Sequence, residues 1–175
     1  MIRIKFSILS LMAFLVFMTS CSIPDTGMSI SDWKIKNDSY FAGMKDSTGY
    51  TLYTIPASRG GSNFYYKITV PGNQASVSPV STDQVVVNYR GKLINGNVFD
   101  QTYTGAVPPN DSTATPGTFY PKFLIRGWLE NLIQMKVGET RTIVLPQELG
   151  YGATGSGIIP PYSVTIFQIQ LVKVK

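Results

Sequence analysis

The sequence contains no histidine and a single cysteine, Cys21. Without histidine, a Ser-His-Asp triad, a histidine metal site and a proton shuttle that titrates near neutral pH are excluded. With one cysteine, no intrachain disulfide can form and no plausible zinc site remains. The cations are scattered and never form a run, which argues against nucleic-acid binding. Any chemistry must therefore proceed without these groups.

The N-terminus has the pattern of a secretory signal. Residues 1–20 have a basic start, an apolar stretch and small residues before Cys21. The stretch is too short to span a membrane comfortably, although an anchor helix that stays attached is the alternative. Without Arg3 and Lys5 the formal net charge falls from +5 to +3.

Cys21, directly after this stretch, resembles the modified cysteine of a bacterial lipoprotein, although Met18 replaces the usual leucine. An incidental free thiol is the alternative. We therefore expect a lipoprotein signal peptide over residues 1–20 and a lipid on Cys21. Several acyl chains would anchor the protein stably to a bacterial membrane of the cell envelope, with the outer membrane as the expected location.

Residues 123–135, with the sequence FLIRGWLENLIQM, predict the central helix. From Trp128 onward, apolar residues recur at steps of three and four, which places them on one stripe of a helix of about ten residues. Glu130 near its start and Lys136 near its end suit the helix dipole, and Gly138 suits a left-handed cap. Trp128 either caps the core or forms the floor of a pocket.

A second helix is predicted near the N-terminus. Residues 22–30 are small and polar, as in a tether. After them, Trp33, Tyr40, Phe41 and Met44 recur at near-helical spacing, which predicts a helix of about 14 residues with Ser31 as its N-cap. This aromatic stripe packs either on the rest of the chain or on a partner.

Most of the remaining sequence has the pattern of β-strands. Strands are predicted at residues 50–55, 65–70, 85–93, 98–100, 140–145 and 164–174. Asn95-Gly96 predicts a tight hairpin in which both residues have positive φ. Residues 101–118 are polar and lack any period, which predicts a long flexible loop of functional importance.

Several motifs together resemble the FKBP-type peptidyl-prolyl isomerases over about 110 residues, 64–175. In chain order they are Tyr89-Arg90-Gly91, Asn95-Gly96, Phe99-Asp100, Ile125-Arg126-Gly127-Trp128, Glu130, Met135, Gly138, Tyr151-Gly152-Ala153-Thr154-Gly155, Ile158-Ile159-Pro160-Pro161 and Phe167. The resemblance implies an α+β fold, an antiparallel half-barrel of five or six strands wrapped around one short helix. Residues 21–63 would form the tether and a short helical extension, and residues 64–175 the isomerase domain.

The resemblance also implies a pocket and the residues that form it. Its walls would be Tyr89, Phe99, Leu124, Ile125, Tyr151, Ile159 and Phe167, with Trp128 as the floor and Asp100 as a polar group at one side. The Ile125 backbone N–H would donate to a ligand carbonyl. Asp100 would either accept a hydrogen bond from the Tyr89 hydroxyl or act directly on the substrate amide. No cofactor or metal is implied.

Phe99 and Asp100 are adjacent, and successive residues of a strand point to opposite faces. Both line one pocket only if the strand ends or bulges at that point. We therefore predict irregular backbone beginning at Asp100.

The implied activity is cis-trans isomerisation of X–Pro bonds in exported or unfolded polypeptides, with the family's macrolide inhibitors as further ligands. The alternatives are a weakly catalytic chaperone or binding module with the same fold, and a structural component of the envelope.

Three departures from the family affect the rim. The loop over residues 101–118 is long and lacks a basic residue, Gly117 replaces an aromatic and would thin one wall, and the loop after Gly155 is short.

Overall fold

The computed structural model describes residues 27–105 and 114–175. The predicted signal peptide, Cys21 and residues 106–113 lie outside the described residues. Within the described ranges, neither helix has the length and apolar character needed to cross a membrane.

The described residues form one antiparallel sheet of seven strands. The strands are β1 (Thr51–Thr54), β2 (Asn63–Val70), β3 (Val85–Leu93), β4 (Val98–Gln101), β5 (Gly117–Phe119), β6 (Thr140–Leu145) and β7 (Thr165–Val174). Their order is β1-β2-β6-β7-β3-β4, and β5 pairs with the start of β3. All six predicted strands are present. The sequence did not indicate β5, a three-residue strand that begins in the last two residues of the predicted loop.

The central helix, α2 (Arg126–Leu132), lies against the inner face of this sheet. Trp128 and Leu132 are buried in the main core with residues of the strands. The contact with β6 is close at Gly127, where an added Cβ would lie 2.5 Å from the Leu145 methyl groups. The predicted α+β fold around one short helix is confirmed.

The helix is seven residues long, shorter than predicted. After Leu132 the chain tightens into i→i−3 hydrogen bonds, from the Gln134 N–H to the Asn131 carbonyl at 3.1 Å and from the Met135 N–H to the Leu132 carbonyl at 3.0 Å. Lys136 therefore lies beyond the α-helix. Gly138 has the predicted positive φ, 85°, but in the turn that leads to β6.

The β3–β4 hairpin is looser than predicted. Of the predicted pair Asn95-Gly96, only Gly96 has positive φ, at 91°. The Gly96 N–H donates to the Leu93 carbonyl and the Leu93 N–H to the Asn97 carbonyl, both at 2.9 Å. A connection of four residues between the strands allows an ordinary right-handed turn, so that glycine alone takes the left-handed conformation.

A bulge in β4 lies one residue before the predicted position. Gly91 pairs with Asp100 and Lys92 with Val98, which leaves Phe99 as the extra residue. The strand continues through Gln101, so the prediction of irregular backbone beginning at Asp100 was wrong in position. The bulge lets the side chains of Phe99 and Asp100, which are adjacent in the sequence, point toward the same side of the sheet.

The N-terminal helix, α1 (Ile30–Gly43), packs against the outer face of the sheet. Its N-cap is Ser29, not the predicted Ser31, because the Ser29 hydroxyl accepts a hydrogen bond from the Asp32 N–H at 3.1 Å. Met44, just after the helix, is buried with Val144 and Ile166. These alternate along β6 and β7 with the residues of the main core, so α1 and α2 lie on opposite faces.

Asn37 connects α1 to the start of β7. This residue is fully buried; its side chain accepts a hydrogen bond from the Val164 N–H at 2.7 Å and donates one to the Trp33 carbonyl at 2.8 Å. The helix is thus fixed by polar as well as apolar contacts.

We predict that Asn37→Ala lowers the free energy of unfolding by about 1–3 kcal/mol, because the buried Val164 N–H loses its acceptor. Urea denaturation measures this change. Lys36→Ala, at the neighbouring exposed position, is the control and should have little effect. An unchanged urea midpoint for Asn37→Ala would show that the contact does not stabilise the fold.

Candidate active site

A cavity of about 250 Å³ opens beside the N-terminal end of α2. The residues that line it are Tyr89, Asp100, Phe119, Phe123, Leu124, Ile125, Trp128, Tyr151 and Phe167. They come from β3, β4, β5, α2, β7 and the two connections that precede α2 and follow β6. A single cavity therefore collects residues that are distant in the sequence.

Seven of the nine residues expected at the pocket line this cavity. The other two, Phe99 and Ile159, lie behind its wall. The Phe99 ring packs edge-on against Phe167, at 5.4 Å between centroids, and against Tyr151, at 6.1 Å. Ile159 is buried with Trp33 and Leu93 in a cluster against which Phe99 and Tyr151 pack. Both residues support lining residues from outside.

Gly91 makes room for the contact between the Phe99 and Phe167 rings. A Cβ at Gly91 would lie 2.6 Å from the Phe99 ring and 2.7 Å from the Phe167 ring. The two rings therefore meet directly across the position where any other residue would place a side chain.

Phe119 and Phe123 line the cavity although the sequence did not indicate them. The Phe119 ring folds back over Gly117, where an added Cβ would lie 2.4 Å from it. The Phe119 ring thus covers the position at which Gly117 has no side chain and forms part of the cavity wall. Phe123 is 77% exposed at the mouth. An aromatic at the start of the 123–135 segment was the available signal for it.

Trp128 belongs to both the core and the cavity, which combines the two roles left open by the sequence. Its ring meets Tyr89 at 5.0 Å, Phe167 at 5.3 Å and Phe119 at 6.3 Å, all edge-on. Edge-on packing favours aromatic pairs beyond the area they bury. The indole N–H is buried and has no hydrogen-bond partner among the described residues. The floor is thus an apolar ring held between three other aromatic rings.

Tyr89 and Asp100 form the polar side of the cavity. The Tyr89 hydroxyl donates to Asp100 Oδ2 at 2.5 Å. Burial, and then this hydrogen bond, raise the pKa of Tyr89 well above its ordinary value of 10.0. Burial, and then the charge of Asp100, likewise raise the pKa of Tyr151. Both hydroxyls therefore remain protonated donors at neutral pH.

The backbone at the entry to α2 presents an unused donor. Ile125 is the N-cap residue of α2, with φ −56° and ψ 149°. Its N–H has no hydrogen-bond partner among the described residues, because the helical bonds begin with the Trp128 N–H. A ligand carbonyl in the cavity is therefore offered a backbone donor. The described residues contain no group of metal-binding side chains.

The fold and this cavity define a class of protein in which a half-barrel presents an aromatic pocket floored by a tryptophan. Residues 75–172 match the family model for FKBP-type peptidyl-prolyl cis-trans isomerases. The chain therefore belongs to the FKBP-type peptidyl-prolyl cis-trans isomerase family.

Individual relatives agree with this assignment. The peptidyl-prolyl cis-trans isomerase Mip of Coxiella burnetii is 40% identical over 111 residues, which cover 63% of this chain and 44% of that protein. The outer membrane protein MIP of Legionella longbeachae is 34% identical over 143 residues, 81% of this chain and 54% of that protein. This chain therefore corresponds to about half the length of these relatives or less.

A solved structure is also similar. The crystal structure of FkpA from Escherichia coli matches with a TM-score of 0.67 and 31% identity, covering 83% of this chain and 61% of that chain.

The raised pKa of Tyr89 gives a pH-dependent contribution to stability. Below pH 10 the hydroxyl is protonated in both the folded and unfolded states; above it, the unfolded state loses its proton first. We therefore expect the stability difference between the wild type and Tyr89→Phe to be constant from about pH 6 to about pH 9 and to shift in favour of Tyr89→Phe above about pH 10. Urea titrations across this range measure it. A difference that changes near neutral pH would contradict this assignment.

Proposed function

We propose that this chain is a peptidyl-prolyl cis-trans isomerase that accelerates X–Pro isomerisation in exported or unfolded polypeptides. The observation that carries the proposal is the cavity floored by Trp128, in which aromatic walls and a small number of neutral donors lie inside the family-matched region. The prolyl ring would lie over the indole of Trp128. The family's macrolide inhibitors would compete for the same cavity.

The chemistry follows from the electronic structure of the amide. An X–Pro bond isomerises slowly because the C–N bond has partial double-bond character. The planar amide is more charge-separated than the twisted transition state, where resonance is lost. A dry apolar cavity therefore disfavours the planar state relative to the twisted one, which is the differential binding that catalysis requires. Each ~1.4 kcal/mol of this difference gives about tenfold in rate.

The polar groups would orient the substrate. In this proposal the Ile125 N–H and the Tyr151 hydroxyl hold substrate carbonyls, while the walls hold the prolyl ring. Asp100 is occupied by the Tyr89 hydroxyl, which favours a structural role for it over direct action on the twisted amide. No general base or nucleophile is required, which suits a sequence without histidine.

The cell envelope is the proposed location. Lipid on Cys21 would anchor the protein to a membrane, with residues 21–63 as tether and extension and residues 64–175 as the isomerase domain. One relative carries the name outer membrane protein, which supports this location.

Two substitutions that keep volume nearly constant test the mechanism. We expect Tyr151→Phe and Asp100→Asn each to reduce peptide isomerisation several-fold at most, since each alters one polar contact in a mainly apolar site. The thermal midpoint should stay within a few degrees of the wild type, which circular dichroism verifies. Complete inactivation of folded Tyr151→Phe would mean that proton donation dominates and would sink the desolvation mechanism.

A refolding assay separates the enzyme from a binding module with the same fold. Catalytic amounts of an isomerase accelerate a proline-limited refolding phase, which otherwise takes tens to hundreds of seconds. A binding module would slow aggregation only at stoichiometric amounts.

Cys21→Ser tests the membrane anchor. If Cys21 carries the lipid, we expect this variant to lack acyl mass by mass spectrometry and to leave the membrane fraction. Ser22→Ala, at the next position, is the control and should remain in the membrane fraction. An unchanged membrane fraction for Cys21→Ser would contradict lipid attachment at this residue.

A further inference from the structure

The connection between β6 and β7, residues 146–164, is here called the Tyr151 loop because it brings Tyr151 to the cavity. Little of this loop is regular secondary structure. The Gly152 N–H donates to the Gln147 carbonyl at 2.9 Å, and the Tyr162 N–H donates to the Gly152 carbonyl at 3.0 Å. These bonds tie the first and last parts of the loop together, so a displacement of its end near Tyr162 also displaces the backbone beside Tyr151.

Helix α1 fixes the end of this loop through two adjacent residues. The Trp33 indole N–H donates to the Ser163 hydroxyl at 3.0 Å, and that hydroxyl donates to the Pro160 carbonyl at 2.7 Å. The next N–H of the chain, that of Val164, is bound by Asn37. Trp33 and Ser163 are both almost completely buried, at 1% and 2% exposure. In a buried site these bonds are costly to break.

The apolar contacts continue from the helix to the cavity wall. Trp33 is buried with Leu93 and Ile159, and the rings of Phe99 and Tyr151 pack against this cluster. Phe99 and Tyr151 also meet each other edge-on at 6.1 Å. Only one layer of side chains therefore separates the N-terminal helix from the wall of the candidate active site.

We propose that Trp33 is a positioning residue for the isomerase site: it holds the Tyr151 loop so that the Tyr151 side chain is aimed into the cavity. The proposal deepens the proposed function and rests on it. Trp33 lies outside the family-matched residues 75–172, so the extension supports a wall of the cavity from behind. A tyrosine on an irregular loop needs such support, because a small misplacement of an orienting group lowers the rate.

The test is a double-mutant cycle between Trp33→Phe and Tyr151→Phe. Trp33→Phe keeps an aromatic ring but removes the N–H that donates to Ser163. We expect it to lower kcat/KM for an X–Pro peptide by about two- to fivefold when Tyr151 is present, and by less than about 1.5-fold when Tyr151→Phe has removed the hydroxyl. A general loss of folded protein would give equal factors in both backgrounds.

Two further variants control for folding. Ile35→Ala lies on the exposed face of α1, at 63% exposure, and should leave kcat/KM unchanged. If Trp33→Phe does not fold, Ser163→Ala removes the same hydrogen bond from the loop side and should show the same dependence on Tyr151. Rates are compared at a temperature at which circular dichroism shows each variant fully folded.

Amide hydrogen exchange gives a readout that does not need activity. We expect Trp33→Phe to accelerate exchange of the Tyr162 and Gly152 amides but not of the core amide of Ile169. Unchanged exchange at Tyr162 would overturn the proposal, as would equal kinetic factors in both backgrounds.

A wild-type protein without turnover would sink the proposed function alone. The double-mutant cycle would then compare affinities for the same peptide. In the Trp33→Phe background, the fluorescence of Trp128, the remaining tryptophan, reports this binding. Calorimetry measures the same affinity in the wild-type background. If Tyr151→Phe changes the peptide affinity by the same factor in both backgrounds, the positioning role is overturned.

Discussion

The edge-on packing of aromatic rings around Trp128 is the interaction on which both the core and the cavity depend. The indole is buried among the core residues of the sheet and at the same time forms the floor of an opening. Two glycines make this arrangement possible: Gly127 lets α2 approach β6, and Gly91 lets the Phe99 ring meet Phe167, a residue of the wall, from behind. Interiors pack as densely as organic crystals, so a side chain at Gly91 would displace the rings and one at Gly127 would displace Leu145. The shape of the site is thus a consequence of how tightly the helix lies in the sheet.

Much of this architecture could be predicted from periodicity and motif order. The alternation in β3 and β7 and the three-and-four spacing after Trp128 are long patterns, which indicate the type of an element well. The positions of most cavity residues followed from the family resemblance, since the motifs occur in order along 64–175. Short features were the weak point. A three-residue strand such as β5 has no period, and its pairing with Val85–Val87 is decided by the tertiary fold.

The remaining differences arise from side-chain contacts between elements, which periodicity along the chain does not show. The bulge falls at Phe99, whose ring lies over Gly91 on the neighbouring strand, a contact that the alternation of residues does not reveal. Ile159 lies behind the wall because Trp33, more than a hundred residues earlier in the sequence, is packed against it. The sequence indicated an aromatic stripe on α1 but could not show what covers it. For Ile159 and the α1 stripe the deciding partner is remote in the chain and near in the fold, whereas for Phe99 it lies across the hairpin.

The chemistry gives these remote contacts their importance. A site that used a general base would depend above all on the pKa and reach of one side chain. The proposed mechanism instead depends on a dry cavity of fixed shape, in which the walls distinguish a planar from a twisted amide. Such a site is only as selective as its walls are rigid, since walls that relax around the planar amide bind both states equally and accelerate nothing. In the proposed mechanism, support for the walls, from the Phe99 ring behind Phe167 to helix α1 behind Ile159, therefore contributes to catalysis as well as to the fold.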